Sequence, residues 1–143
     1  MKHEDSAVTA LRSVGLFSGL DVKTLARIAQ QTKPYRFKAG ESVIDADASG
    51  RFGRLYTVVS GTAEAQINDE PIATFGPGDH FGEMSVLDGS PRSAAIIATS
   101  DLDTLGLSAW NMRTLLREEP DISMHVIATL VTRLRKVTEA LYD

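Results

Sequence analysis

The middle of the chain, residues 34–108, is divided by glycine-, asparagine- and aspartate-containing turns into short strand-like segments, and this pattern limits the possible folds most strongly. The segments cover residues 35–38, 42–44, 55–60, 62–67, 72–75, 94–99 and 104–107. Many short strands at regular spacing, with no long helical pattern between them, favour a sandwich, a barrel or a jelly roll over a parallel α/β sheet.

Helical patterns flank this region on both sides. Before it, apolar residues recur at helical spacing, Asp21 is a candidate N-cap, and Pro34 ends the helical pattern. Residues 1–33 are therefore predicted to form N-terminal helices. After the strands, Ser108 is a candidate N-cap, and residues 109–143 are predicted to form the C-terminal helices.

The last helix is predicted to begin at Pro120, which suits a first helical turn, and to carry an apolar seam. The seam residues follow one another in steps of 3, 4, 3 and 4: Ile127, Leu130, Leu134, Val137 and Leu141. This is coiled-coil spacing and predicts a homodimer through the helix. The alternative is an amphipathic helix packed on its own strands. We expect the first turns to pack inward and the later turns to face a partner.

Size and composition predict one globular domain over residues 1–143, with 43% hydrophobic and 24% charged residues. No apolar run approaches a membrane span, and the polar N-terminus is unlike a signal peptide, so we expect a cytoplasmic protein with no membrane partner. The absence of cysteine excludes disulfides and thiolate metal sites. A net charge of −4 argues against direct nucleic-acid binding, and the basic segment 133–136 is interpreted as a solvated helix face.

The most informative stretch is GPGDHFGEMSVLDGSPRSAA at residues 76–95. A glycine-rich turn leads into Gly82 and Glu83, a segment long enough for about one helical turn follows, and Arg92 comes after a proline. Backbone N–H groups at a helix start attract anions, and one arginine can bind two oxygens of the same phosphate. A carboxylate only accepts hydrogen bonds, so Glu83 requires a hydroxyl donor. A phosphate next to a sugar hydroxyl indicates a nucleotide.

The order and spacing of these residues resemble the phosphate-binding cassette of cyclic-nucleotide-binding domains. Such domains occur in the catabolite activator protein family, in regulatory subunits of cyclic-nucleotide-dependent kinases and in cyclic-nucleotide-gated channels. The cassette covers residues 81–94, with nine positions from Glu83 to Arg92, and weaker resemblance extends over about residues 14–140. It implies an α+β, mainly β fold: an antiparallel β jelly-roll barrel flanked by N-terminal helices and a long C-terminal helix. The β-roll would span residues 34–108.

The resemblance also implies the roles of individual residues. Arg92 would neutralise the cyclic phosphate, Glu83 would accept from the ribose 2′-hydroxyl, and Gly82 would let the backbone approach the ligand. The backbone amides of Glu83, Ser85 and Ala94 resemble phosphate and ribose donors, and the Ser93 hydroxyl is a further donor. The predicted ligand-binding residues are Gly82, Glu83, Met84, Ser85, Arg92, Ser93, Ala94 and Thr138.

The base is predicted to meet the last helix at Thr138, whose hydroxyl would bond a purine amino group. The alternative for Thr138 is a solvated helix face. Ser93 after the cassette arginine is similar to bacterial cAMP-binding members, so cAMP is expected over cGMP. The loop before residue 55 is about two residues longer than is usual in the family and has Asp47 in place of a glycine.

The sequence thus predicts a regulatory or sensor module that passes a signal through its C-terminal helix to an unknown effector protein. No helix-turn-helix pattern follows before Asp143, so direct DNA binding is not expected. Catalysis is not expected either, because His3, His80 and His125 are scattered and form no metal-ligand motif, and neither a metal nor a cofactor is predicted. A structural dimerisation domain with a vestigial pocket is the remaining alternative.

Overall fold

The computed structural model describes residues 2–45, 53–90 and 94–142. Within these ranges the chain forms two helices, six strands, a short helix, two strands and two final helices. In order they are α1 Lys2–Arg12, α2 Val22–Ala29, β1 Thr32–Phe37, β2 Ser42–Ile44, β3 Arg54–Ser60, β4 Ala63–Ile67, β5 Glu70–Phe75, β6 His80–Phe81, α3 Glu83–Asp88, β7 Ala95–Ala98, β8 Leu102–Ser108, α4 Ala109–Glu118 and α5 Pro120–Tyr142.

The strands form two antiparallel four-stranded sheets. One sheet has the order β1-β8-β3-β6 and the other has the order β2-β7-β4-β5. Consecutive strands alternate between the sheets except at the β4–β5 hairpin, whose two strands pair within the second sheet, and this two-sheet arrangement is that of a jelly roll. This confirms the predicted α+β, mainly β fold with flanking helices.

Two apolar cores hold these layers together. One core lies between the two sheets and includes Ile44, Tyr56, Val58, Phe81 and Ile96, which come from β2, β3, β6 and β7. The second core packs the helices against the first sheet. Its fully buried side chains include Leu11, Leu25, Leu55, Leu107 and Ile122.

Both predicted N-caps are confirmed. The Asp21 carboxylate accepts from the Thr24 N–H at 2.7 Å, and the Ser108 hydroxyl accepts from the Asn111 N–H at 3.0 Å. Each cap satisfies a backbone donor that would have no partner within the helix. They fix where α2 and α4 begin, and α4 starts directly at the end of β8.

The structure differs from the predicted strand boundaries at two prolines. Pro34 does not end a helix but lies inside β1, opposite Leu105 of β8. A proline is tolerated there because β1 is an edge strand. Pro71 lies in β5, since the turn before it is only Asn68-Asp69, both at positive φ (52° and 66°), as in tight hairpins.

Candidate functional site

The predicted cassette begins where the first sheet ends. The short strand β6 pairs with β3, so that Phe81 lies opposite Tyr56. Gly82 follows at φ +94°, a backbone conformation that favours glycine, and α3 starts at the next residue. Val86 is fully buried, and its N–H donates to the Gly82 carbonyl. This order confirms the expected glycine turn and the short helical segment, whereas β6 was not predicted.

Glu83 is the centre of a small cluster of charged side chains. Its side chain is only 16% exposed, and its Oε1 lies 3.3 Å from Nη1 of Arg133 in α5 and 3.5 Å from Nε2 of His80 in β6. Both contacts involve the same carboxylate oxygen. Within the described ranges, Oε2 has no ion pair with another side chain.

The surroundings of Glu83 favour its charged form. Burial acts to raise the pKa of the carboxyl, but the hydrogen bond and charge of His80, the Glu83 backbone N–H and the charge of Arg133 outweigh it. The pKa of Glu83 therefore lies below its ordinary value near 4.5. Glu83 is an ionised acceptor at neutral pH, as a ribose hydroxyl requires.

The contact with Arg133 corrects the interpretation of segment 133–136 as a solvated face. Arg135 and Lys136 are exposed, but the Arg133 side chain is only 39% exposed because α5 passes the cassette at this point. His80, interpreted from the sequence as a loop residue, is likewise a strand residue bonded to Glu83. The local sequence pattern indicates neither contact. Arg133 is 50 positions away from Glu83, and His80, three positions before Glu83, lies in a strand too short to be recognised from sequence.

The other predicted ligand-binding residues are placed as follows. Met84 and Ser85 belong to α3, directly after Glu83, and Ala94 precedes β7 and packs partly buried against the core between the sheets. Arg92 and Ser93 lie outside the described residues, as do Asp47 and the longer loop around it. Their predicted roles stay predictions.

Thr138 is not joined to this cluster. It is exposed on α5, and its hydroxyl donates to the Leu134 carbonyl of the same helix at 2.9 Å. Serine and threonine hydroxyls in helices often make this bond. The role of Thr138 in binding a base stays a prediction.

The apolar seam of α5 differs from the predicted one in its central residues. Ile122 and Val126 are buried, as expected for the first turns, and Leu130 also packs partly buried on the helical core. We call the exposed apolar row of α5 the α5 stripe. Its residues are between 43% and 78% exposed: Met124, Ile127, Val131, Leu134, Val137 and Leu141. Val131 thus replaces Leu130 in the stripe.

Two further features are absent from the part of the chain that the structure describes. No group of three or more histidine, aspartate or glutamate side chains there is arranged to hold a metal ion. Among the same residues, no helix has the length and apolar composition that a membrane crossing requires.

Comparisons with known proteins agree with this geometry. The profile of the cyclic nucleotide-binding domain matches residues 34–119. The chain is 30% identical over 139 residues to the CRP-like cAMP-activated global transcriptional regulator of Mycobacterium tuberculosis. That match covers 93% of this chain but 61% of the regulator, so the chain spans less than two thirds of this relative.

Two solved structures are similar to the whole architecture. The N-terminal domain of a transcriptional regulator from Streptomyces coelicolor A3(2) superposes with a TM-score of 0.83 at 25% identity, covering 92% of this chain and 94% of that chain. The regulatory domain of Toxoplasma gondii PKA, crystallised with cAMP, gives a TM-score of 0.70 at 26% identity, covering 79% of this chain and 44% of that chain.

Proposed function

The chain belongs to the cyclic nucleotide-binding domain family, and we propose that it is a sensor that binds cAMP in preference to cGMP and relays binding through α5. The observation that carries the proposal is the ionised, largely buried Glu83 carboxylate at the start of α3, directly after a glycine at positive φ. This is the position at which the cassette requires a hydroxyl acceptor.

The ligand is proposed to contact both ends of the cassette. Glu83 accepts from the ribose 2′-hydroxyl through Oε2, while Oε1 stays on Arg133 and His80. Arg92 and Ser93 bind the cyclic phosphate together with backbone amides from Glu83, Ser85 and Ala94. Thr138 is proposed to reach the base when α5 closes over it.

The preference for cAMP is supported by the relatives. The Mycobacterium tuberculosis regulator is cAMP-activated and the Toxoplasma gondii regulatory domain was crystallised with cAMP. Both relatives are named as a regulator or a regulatory domain, and this supports the proposal that this chain has no catalytic activity of its own. We take residues 1–143 as one such domain, acting in the cytoplasm on an effector protein.

The relay is proposed to run through the contact between Glu83 and Arg133. A ligand shifts a conformational equilibrium only by its differential affinity for the two states. Because Arg133 is on α5 and Glu83 is in the cassette, a ligand bound to Glu83 acts on α5 directly. The α5 stripe then provides the surface that a second copy of the chain covers, giving a homodimer.

Hydrogen exchange of α5, measured with and without cAMP, tests the relay. We expect slower exchange of amides around Arg133 when cAMP is bound, and no change with 5′-AMP at the same concentration. Competition of cAMP and cGMP for the same site tests the preference, and equal affinities would contradict it. A dimeric protein that binds neither nucleotide would instead support the structural dimerisation domain.

A further inference from the structure

The turn between α1 and α2 lies against α5 through two glycines. A Cβ added at Gly15 would lie 2.8 Å from Nη2 of Arg133, and one added at Gly19 would lie 3.4 Å from Cε1 of His125. Arg133 and His125 are eight residues apart on α5, so they lie on the same face of the helix. The turn thus follows α5 over about two helical turns.

Gly15 differs from most glycines of the chain because its backbone does not require glycine. Gly19 is at φ +91°, whereas Gly15 has no positive φ. A methyl group added at Gly15 would meet the tip of the flexible Arg133 side chain first. The next atom is His80 Cε1 at 3.9 Å. An alanine is therefore compatible with the backbone but not with the present position of the Arg133 guanidinium.

The two ends of that guanidinium have different neighbours. Nη1 is the nitrogen 3.3 Å from Glu83 Oε1, and Nη2 is the nitrogen that lies over Gly15. Since the guanidinium is planar and rigid, moving one nitrogen moves the other. One rigid group, the Arg133 guanidinium, thus contacts Glu83 with one nitrogen and occupies the space beside Gly15 with the other.

We propose that Gly15 is a positioning residue for nucleotide binding: its missing side chain leaves the space in which Arg133 is held against Glu83. This rests on the proposed function, because the affinity it tunes is that for the cyclic nucleotide. It makes the turn between α1 and α2 a third part of the site, beside the cassette and α5. Through Gly15, a shift of the N-terminal helices changes how Glu83 is held.

The test compares Gly15→Ala with Gly76→Ala. Gly76 is a suitable control because it also has no positive φ and a Cβ there would meet nothing within 4 Å. The first readout is the titration of the Glu83 carboxyl, followed by carbon NMR; the charged group that faces it is Arg133 and the other titratable group is His80. We expect its pKa to rise in Gly15→Ala and in Arg133→Gln, and to stay unchanged in Gly76→Ala.

The second readout is affinity for cAMP by calorimetry. Gly15→Ala should weaken binding about two- to fivefold, the range expected for a partly exposed ion pair, and Gly76→Ala should not. In the Arg133→Gln background, Gly15→Ala should have no further effect, because the group it displaces is gone. Circular dichroism confirms that each variant is folded.

Three results would overturn the proposal. They are an unchanged Glu83 titration in Gly15→Ala, an unchanged titration and affinity in Arg133→Gln, or an affinity loss from Gly15→Ala that persists in full without Arg133. A wild-type protein that binds no nucleotide contradicts the proposed function instead. In that case the Glu83 titration still decides whether Gly15 holds Arg133 in place.

Discussion

Arg133 of α5 and Glu83 of α3 meet across 50 residues of sequence, with Nη1 3.3 Å from Oε1. The contact joins the last helix to the first residue of the cassette helix. It helps to keep the Glu83 carboxylate, which is 16% exposed, in its charged form.

The first prediction concerns acid stability. Because the pKa of Glu83 is lowered in the folded chain, the unfolded chain binds more protons between the folded value and the ordinary value near 4.5. The contribution of Glu83 to the free energy of unfolding is thus fully present above the ordinary value and is lost as the pH falls through the folded value. In urea unfolding between about pH 3 and pH 6, the free energy of unfolding should fall less with decreasing pH in Glu83→Gln than in the wild type.

The matched control is Glu139→Gln, because Glu139 is exposed on α5 and has no ion pair or hydrogen bond among the described residues. This variant should follow the wild-type pH profile. If Glu83→Gln and the wild type gave parallel profiles, Glu83 would not be stabilised as a charged group.

The second prediction concerns the sugar of the ligand. A 2′-deoxy analogue of cAMP lacks the hydroxyl proposed to donate to Glu83, so it should bind about 10- to 100-fold more weakly than cAMP, as expected for a hydrogen bond to a charged group. In Glu83→Ala the two ligands should bind alike, because the acceptor is gone. Competition against a fluorescent analogue measures both ratios. Undiminished discrimination by Glu83→Ala would assign the hydroxyl to another residue.

The third prediction concerns the α5 stripe. Leu134 is 65% exposed in the middle of the stripe, and a glutamate there would place two like charges in the seam of the proposed homodimer. Sedimentation equilibrium should give twice 15.5 kDa for the wild type and 15.5 kDa for Leu134→Glu. Lys136→Glu, an exposed change outside the stripe, should leave the mass at the dimer value. A Leu134→Glu protein that stays dimeric would place the interface elsewhere.

The fourth prediction compares two glycines with the same φ angle. Gly61 and Gly40 are both at φ +89°, but a Cβ at Gly61 would overlap the Asp101 carbonyl oxygen, whereas at Gly40 it would meet nothing within 4 Å. Gly40→Ala should lower the free energy of unfolding by about 1–2 kcal/mol, the cost of this conformation for alanine. Gly61→Ala should lower the free energy of unfolding by clearly more, because the backbone at Gly61 or Asp101 must shift to make room for the Cβ. Equal losses in chemical denaturation would contradict this account.

The parts of the fold that the sequence predicts well depend on local interactions. Asp21 and Ser108 each bond an N–H three residues ahead, so the helix starts are encoded within a few positions. The cassette around Gly82 and Glu83 is similarly compact in sequence. The strand β6 was missed because two residues, His80–Phe81, give no alternation to detect.

The parts that sequence did not predict depend on how distant elements pack. Leu130 and Val131 are adjacent and both fit an apolar helix pattern, and only packing against the helical core decides that Leu130 turns inward. The contacts of Arg133 and His80 with Glu83 likewise depend on where α5 and β6 pass the cassette. An arginine between exposed neighbours has no sequence signal that separates an ion pair from a solvated face.

The central claim is that the cassette binds a cyclic nucleotide through Arg92 and Glu83, and calorimetric titration with cAMP tests it most directly. We predict saturable binding with one site per chain, much weaker binding of 5′-AMP, and loss of binding in Arg92→Ala but not in Arg135→Ala, an exposed arginine of α5. No binding by the folded wild-type protein, or unchanged binding by Arg92→Ala, would contradict the account.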